Sequence, residues 1–190
     1  MVTGSSGSKR KRRRNARPEV SVLRVGHRAG RDPRLTTHLA LASRAFGAVR
    51  MFLEPPDPAL ALRVGALARG WGGSFAVVGV EDWKRVVRSF DGLVVHLTMY
   101  GQPLTRAITA LRRAPRVLLV VGGAKVPAEL FHVSDLNVAV GHQPHSEVAA
   151  VAVVLDRLVG GRDTSRFVGA SRRVVPRARG KKVVVRGGRR

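Results

Sequence analysis

Apolar positions along the chain fall into short continuous runs that alternate with longer stretches of helical period. Runs over residues 20–25, 49–53, 75–80, 93–96, 116–121 and 136–140 are rich in Val and Leu. That length and composition predict strands buried on both faces of a parallel sheet. Between the first two runs, Leu35, Leu39, Ala42 and Phe46 recur at helical spacing and predict a helix stopped by Gly47. Asp57 ahead of Pro58 is a good N-cap, so a helix is expected from about residue 59 to 69, ending at Gly70. Shorter helices are predicted over residues 82–90, 103–113 and 127–133. The strongest helical pattern lies at residues 146–159, closed by Gly160 and Gly161. It is apolar on most faces (Val148, Ala149, Val151, Ala152, Val154, Leu155, Leu158), which predicts burial, with a subunit interface as one place for it. Residues 183–185 read as an edge strand. Strands alternating with helices, without an internal repeat, predict an α/β fold with a mostly parallel sheet.

Three of the apolar runs lead into glycine-bearing segments, at residues 96–101, 122–127 and 141–147. Ligands of open α/β sheets bind outside the carboxyl ends of the strands. The three loops are therefore expected to converge on one small-molecule site.

Charge adds a second kind of partner. The 190 residues hold 35 Lys and Arg against 12 Asp and Glu, a formal charge of +23. The excess sits at the ends: residues 1–20 have seven basic side chains and one acid, and residues 162–190 have eleven and one. Such arms seek phosphate, which points to nucleic acid. Residues 1–18 combine a Gly/Ser stretch with an unbroken polar run from Lys9 to Arg14 and are expected to be a disordered basic extension. Residues 19–190 then form one domain, with a basic tail from about residue 162. No apolar run approaches 18 residues, so no membrane span is expected, and the basic start lacks the apolar region of a secretory signal. Without cysteine there is neither a disulfide nor thiol catalysis, which fits a cytoplasmic protein.

The common cofactor motifs are missing. No G-x-G-x-x-G follows the first strand, and there is neither a Walker loop nor a Ser/His/Asp elbow. His142 and His145 stand three apart without a third ligand, so no metal is expected. Ser146 reads first as the N-cap of the helix behind it.

The wording of the sequence resembles a known family. Gly26-His27-Arg28, Arg31-Asp32, Arg34, Thr36-Thr37-His38, Arg44-Ala45-Phe46-Gly47-Ala48, Trp71-Gly72-Gly73, residues 96–101, Gln143-Pro144-His145-Ser146-Glu147 and Arg179-Gly180-Lys181-Lys182-Val183 resemble, in collinear order, the archaeal tRNA cytidine-2′-O-methyltransferases of the SPOUT class. That family methylates the ribose of position 56 in the T-loop. The resemblance implies a C-terminal trefoil knot, one of the few exceptions to unknotted chains, and a homodimer acting on tRNA. It implies S-adenosyl-L-methionine held by Leu97, Thr98, Tyr100 and Gly101 from the first loop, and by Gly122, Gly123, Ala124, Lys125 and Val126 from the second. From the third it implies Val140, Gly141, His142, Gln143, Pro144, His145, Ser146 and Glu147. Arg44 and Ser146 are the implied catalytic residues, with Arg28 and Arg34 next in line; Arg28, Arg34, Arg179, Lys181 and Lys182 are the implied RNA contacts. The second loop departs from the family, having Gly123-Ala124 where relatives place Ala and an acid before the lysine. A non-catalytic tRNA-binding protein of the same fold is the alternative, and affinity for the cofactor separates the two.

Overall fold

A computed structural model of the chain describes residues 17–123, 126–159 and 167–186. The predicted extension at residues 1–18 lies outside them up to residue 16, as do Ala124, Lys125 and the Gly160-Gly161 helix stop. Six strands form one sheet: β1 (Glu19–Val25), β2 (Arg50–Leu53), β3 (Ala76–Gly79), β4 (Leu93–Pro103), β5 (Arg116–Gly122) and β6 (Leu136–Ala139). They are ordered β3-β2-β1-β5-β4-β6 and every pair is parallel. Alternation along each strand divides the core in two. Val20, Val22, Leu119 and Val121 face α1 (Pro33–Ala45), α2 (Pro58–Trp71), α4 (Leu104–Arg113) and α6 (Glu147–Val159). Leu23, Val25, Leu118 and Val120 face α3 (Trp83–Ser89) and the single turn α5 (Leu130–Val133). Covered on both faces, the central strands can be apolar throughout, which is why they read as unbroken runs.

Three expectations need correction. The second helix does not stop at Gly70: it runs through to Trp71 and ends at Gly72, whose φ of 80° is the left-handed value that favours glycine. A Cβ there would also lie 2.7 Å from the Ala170 amide nitrogen, so the position is doubly restricted. The first glycine segment is not a free loop after a short strand. β4 continues to Pro103, with both Leu97 and Gln102 opposite Val138, so residues 98–101 form a bulge within a continuing strand. Residues 183–185 do not join the sheet edge; as β8 (Val183–Val185) they pair antiparallel with β7 (Arg172–Val174) in a separate hairpin. The burial expected of α6 is present: Ala150, Val151, Val154, Leu155 and Leu158 pack in the chain's own core, and among its described side chains Ala149 and Val153 are the exposed apolar ones.

Parallel strands place the starts of α1 and α6 at the carboxyl edge of the sheet, together with the three glycine segments. The hairpin sits at the other edge. It is tied to the end of α2 by the Ser171 amide to the Gly70 carbonyl (3.2 Å) and the Gly73 amide to the Val168 carbonyl (2.9 Å).

Candidate active site

The three glycine segments do converge. They enclose a cleft of about 680 Å³ lined by Leu97, Thr98, Met99 and Tyr100 of the first, Gly122, Gly123 and Val126 of the second, and Pro144, His145 and Glu147 of the third. Ala124 and Lys125 belong to the same turn but lie outside the described residues. The first wall depends on Gly101, where a Cβ would stand 2.4 Å from backbone atoms of Asn137 and Val138. The second depends on Gly122, where a Cβ would stand 2.6 Å from the Val126 side chain. Val140, Gly141 and His142 do not line this cleft. They line an adjoining one of about 380 Å³, with Thr105, Ile108, Arg112 and Arg157. His142 joins the two, its Nδ1 donating to the Met99 carbonyl at 2.9 Å and so fastening the third segment to the first. Gln143 is exposed and lines neither.

Ser146 accepts a hydrogen bond from the Val148 amide at 3.2 Å, the N-cap role expected of it, and is exposed beside the cleft. His96 lies deeper, 1% exposed, edge-on to Phe131. The Asn137 amide nitrogen donates to the Phe131 carbonyl at 2.9 Å, so its oxygen faces His96 Nδ1 at 2.9 Å, and that nitrogen must carry the proton. Burial holds the His96 pKa below its usual value, and the ring is neutral.

Beneath the cleft lies a group that sequence reading passed over. Arg24, near the end of β1, is 1% exposed. Its Nη1 is 3.6 Å from Glu147 and donates to the Val25 carbonyl at 3.3 Å, and its Nη2 is 3.8 Å from Asp32. Asp32 also receives a bidentate pair from Arg28, at 3.0 and 3.1 Å, which holds the Asp32 carboxyl below the usual carboxylate range. Next to this chain, buried His27 accepts from the Thr36 hydroxyl (2.9 Å) and donates to Asp57 (3.3 Å), bracing the loop between β1 and α1 against the start of α2. A charge flanked by Leu23 and Val25, in step with Val20 and Val22 on an apolar face of the strand, was the available signal for Arg24.

The expected catalytic pair is not brought together within one chain. Arg44 is in the last turn of α1, at the amino edge of the sheet, whereas Ser146 is at the carboxyl edge. Arg44 is 7% exposed, donates to the Gly72 carbonyl at 2.6 Å and stacks 4.4 Å from the Phe167 ring; burial lowers its pKa. The RNA candidates divide likewise. Exposed Arg28 and Arg34 stand at the cleft edge, while exposed Arg179, Lys181 and Lys182 belong to the hairpin at the far edge. Among the described residues, no helix is long and apolar enough to cross a membrane.

Comparison with known proteins agrees with this geometry. The family described as "tRNA ribose 2′-O-methyltransferase, aTrm56" matches residues 71–184. A tRNA (cytidine(56)-2′-O)-methyltransferase of Archaeoglobus fulgidus is 49% identical over 166 residues, covering 87% of this chain and 98% of the relative. One of Cenarchaeum symbiosum is 47% identical over 168 residues, covering 87% and 96%. Among solved structures, the SpoU methyltransferase AviRb of Streptomyces viridochromogenes, in complex with AdoMet, superposes with a TM-score of 0.56 at 17% identity, over 84% of this chain and 64% of that one. At that identity the likeness establishes the α/β fold of the SpoU class and no more.

Proposed function

This chain belongs to the tRNA ribose 2′-O-methyltransferase family, and on that premise we propose that it transfers a methyl group from S-adenosyl-L-methionine to the ribose 2′-hydroxyl of cytidine 56 in the tRNA T-loop. The observation that carries the proposal is the convergence of three glycine segments on one cleft at the carboxyl edge of a parallel sheet.

The residues present suit this cofactor. A cleft of about 680 Å³ is in the range of small-molecule sites, and it is walled by backbone that glycine allows to come close. Leu97, Thr98 and Tyr100 would form one wall, Gly122, Gly123 and Val126 the second, and Pro144, His145 and Glu147 the third, with the glycine at 101 shaping the first from behind. Once bound there, the cofactor supplies an electrophilic sulfonium methyl.

The chain itself must position the ribose and manage charge. Arg28 and Arg34 take the phosphate-holding role at the cleft edge, because they and not Arg44 share that edge with the cofactor segments. Arg28 is fixed by its two bonds to Asp32, so its free face is presented at little entropic cost. Ser146, capping α6 beside the cleft, is a hydroxyl partner within the same loop. Arg179, Lys181 and Lys182 extend RNA contact along the hairpin. We read the protein as a homodimer, for which exposed Ala149 and Val153 on α6 offer apolar surface, and as cytoplasmic, where tRNA is found. The C-terminal knot belongs to the same reading; β4 lying between β5 and β6, with α6 packed on α1 and α4, supports it.

The test is transfer of labelled methyl from S-adenosyl-L-methionine to unmodified tRNA, with the product nucleotide mapped. Label on the ribose of cytidine 56 is expected. Binding of tRNA with no label transferred would leave only the non-catalytic clamp.

A further inference from the structure

Resting on that reading, we propose that the Glu147 carboxylate takes the proton from the reacting ribose hydroxyl, and that Arg24 is the positioning residue that aims it. The reaction needs such a group. As the 2′-oxygen bonds to the methyl carbon, the carbon–sulfur bond breaks and its electron pair leaves with sulfur, and the hydroxyl proton must pass to an acceptor. A guanidinium is permanently charged and has no acceptor, so no arginine of the site can receive it.

Among the described residues, four titratable side chains line the cleft: His96, Tyr100, His145 and Glu147. Tyr100 is 78% exposed, out toward solvent. His96 has its Nδ1 committed to Asn137, and its Nε2 is sealed from solvent. His145 is exposed, with its Nδ1 3.3 Å from the Ser146 carbonyl, and no charged neighbour among the described residues fixes it. Of these four, Glu147 is the one that is both an acceptor and aimed. Its side chain is 22% exposed at the cleft wall, with the guanidinium of Arg24 3.6 Å behind it.

Arg24 is held in its turn. The Val25 carbonyl and Asp32 fix it, and it sits directly against the second cofactor segment, its Nη2 3.5 Å from where a Cβ of Gly123 would be. Arg28, Asp32, Arg24 and Glu147 thus form a line of alternating charge from the RNA-facing loop into the cleft. The spacing also matters: at 3.6 Å the pair attracts without a hydrogen bond, so the lone pairs of Glu147 are not taken up by Arg24.

Single-turnover methylation of unmodified tRNA, at saturating enzyme and cofactor and across pH, tests this in wild type, E147Q, E147D, H145Q and R24K. Loss of a general base typically slows transfer ~100-fold or more, and E147Q should show that at saturating cofactor, with S-adenosylhomocysteine affinity read by calorimetry to separate binding from the chemical step. The acid limb of the wild-type pH–rate profile should vanish in E147Q and persist in E147D and H145Q. R24K keeps the charge but loses the planar fork, so it should slow transfer while the limb remains. Wild-type rates in E147Q, or an acid limb lost in H145Q and kept in E147Q, would overturn the assignment. Should E147Q fail to bind S-adenosylhomocysteine, E147D decides: a profile without an acid limb there also overturns it. A wild-type protein that leaves cytidine 56 unlabelled refutes the reading of the preceding subsection instead.

Discussion

Replacing Gly101 by alanine should loosen the whole carboxyl end of β4, whereas the same change at Gly141 should be silent for folding. The added Cβ at position 101 would lie 2.4 Å from Asn137 C and Val138 N, and both are main-chain atoms that cannot rotate aside. Carbon contacts are comfortable at about 3.5 Å, so β4 would have to retreat from β6 by roughly 1 Å. Forcing a methyl into packed surroundings costs about 1–3 kcal/mol. The pairing just beyond, Gln102 opposite Val138 and Pro103 opposite Ala139, would weaken with it, at ~1 kcal/mol per hydrogen bond. A total of roughly 2–4 kcal/mol, at ~2–4 °C per kcal/mol for a domain of this size, lowers the melting temperature by roughly 4–16 °C. At Gly141 the nearest atom to a new Cβ is His145 Cδ2 at 3.9 Å, an ordinary contact, and the backbone is not in the left-handed region. That variant should melt within ~2 °C of wild type. Calorimetric melting of both proteins, paired with S-adenosylhomocysteine titration, separates loss of fold from loss of site. A Gly101→Ala protein melting within ~2 °C of wild type would refute the reasoning.

Other consequences can be checked directly. Because burial depresses the His96 pKa, the unfolded chain binds its proton more readily; the stability from this group is complete above ~6.5 and is lost as pH falls through the depressed folded value. The drop in melting temperature between about pH 7.5 and about pH 5.5 should be smaller in His96→Gln than in wild type, and an equal drop would count against it. Arg44→Ala loses the bond to the Gly72 carbonyl and the stack on Phe167, together about 2 kcal/mol, so it should melt lower while binding S-adenosylhomocysteine normally. Unchanged melting with transfer slowed ~100-fold would instead return Arg44 to the reacting centre. Replacing Arg179, Lys181 and Lys182 by alanine should make the log–log salt dependence of tRNA binding shallower by ~0.7–0.9 per lost contact, without moving the methylated nucleotide; the same slope in both proteins would exclude the hairpin from RNA contact.

Much of this architecture was readable from local pattern. The apolar runs became the strands, and glycines placed just behind such runs became the cleft walls, because both signals report near neighbours in the chain. What escaped notice depends on distant partners. The bulge at residues 98–101 arises because Gln102 returns to pair with Val138, some 36 positions away, and nothing in the local sequence announces it. Nothing near Arg24 in the chain marks its role, because Glu147, its partner at 3.6 Å, is carried in by α6. Glycine permits a helix stop at Gly70, yet the left-handed turn falls at Gly72, where Ala170 approaches. Arg44 could not be placed at one edge of the sheet or the other until the length of α1 was known.

The double pairing of Val138, with Leu97 on one side of the bulge and Gln102 on the other, has a bearing on redesign. Both feet of the first cofactor wall stand on the same residue of β6, so within the sheet the span between them is insulated, its tie to the third segment being the His142 bond to the Met99 carbonyl. Residues inserted among Thr98, Met99 and Tyr100 would lengthen a closed ring, at a cost that grows only with the logarithm of its size, and would shift no register elsewhere. Side chains at those three positions can be randomised together on the same ground, provided Gly101 is kept. The segment is therefore a natural place to graft length and sequence diversity when a cleft with altered preference for cofactor analogues is sought.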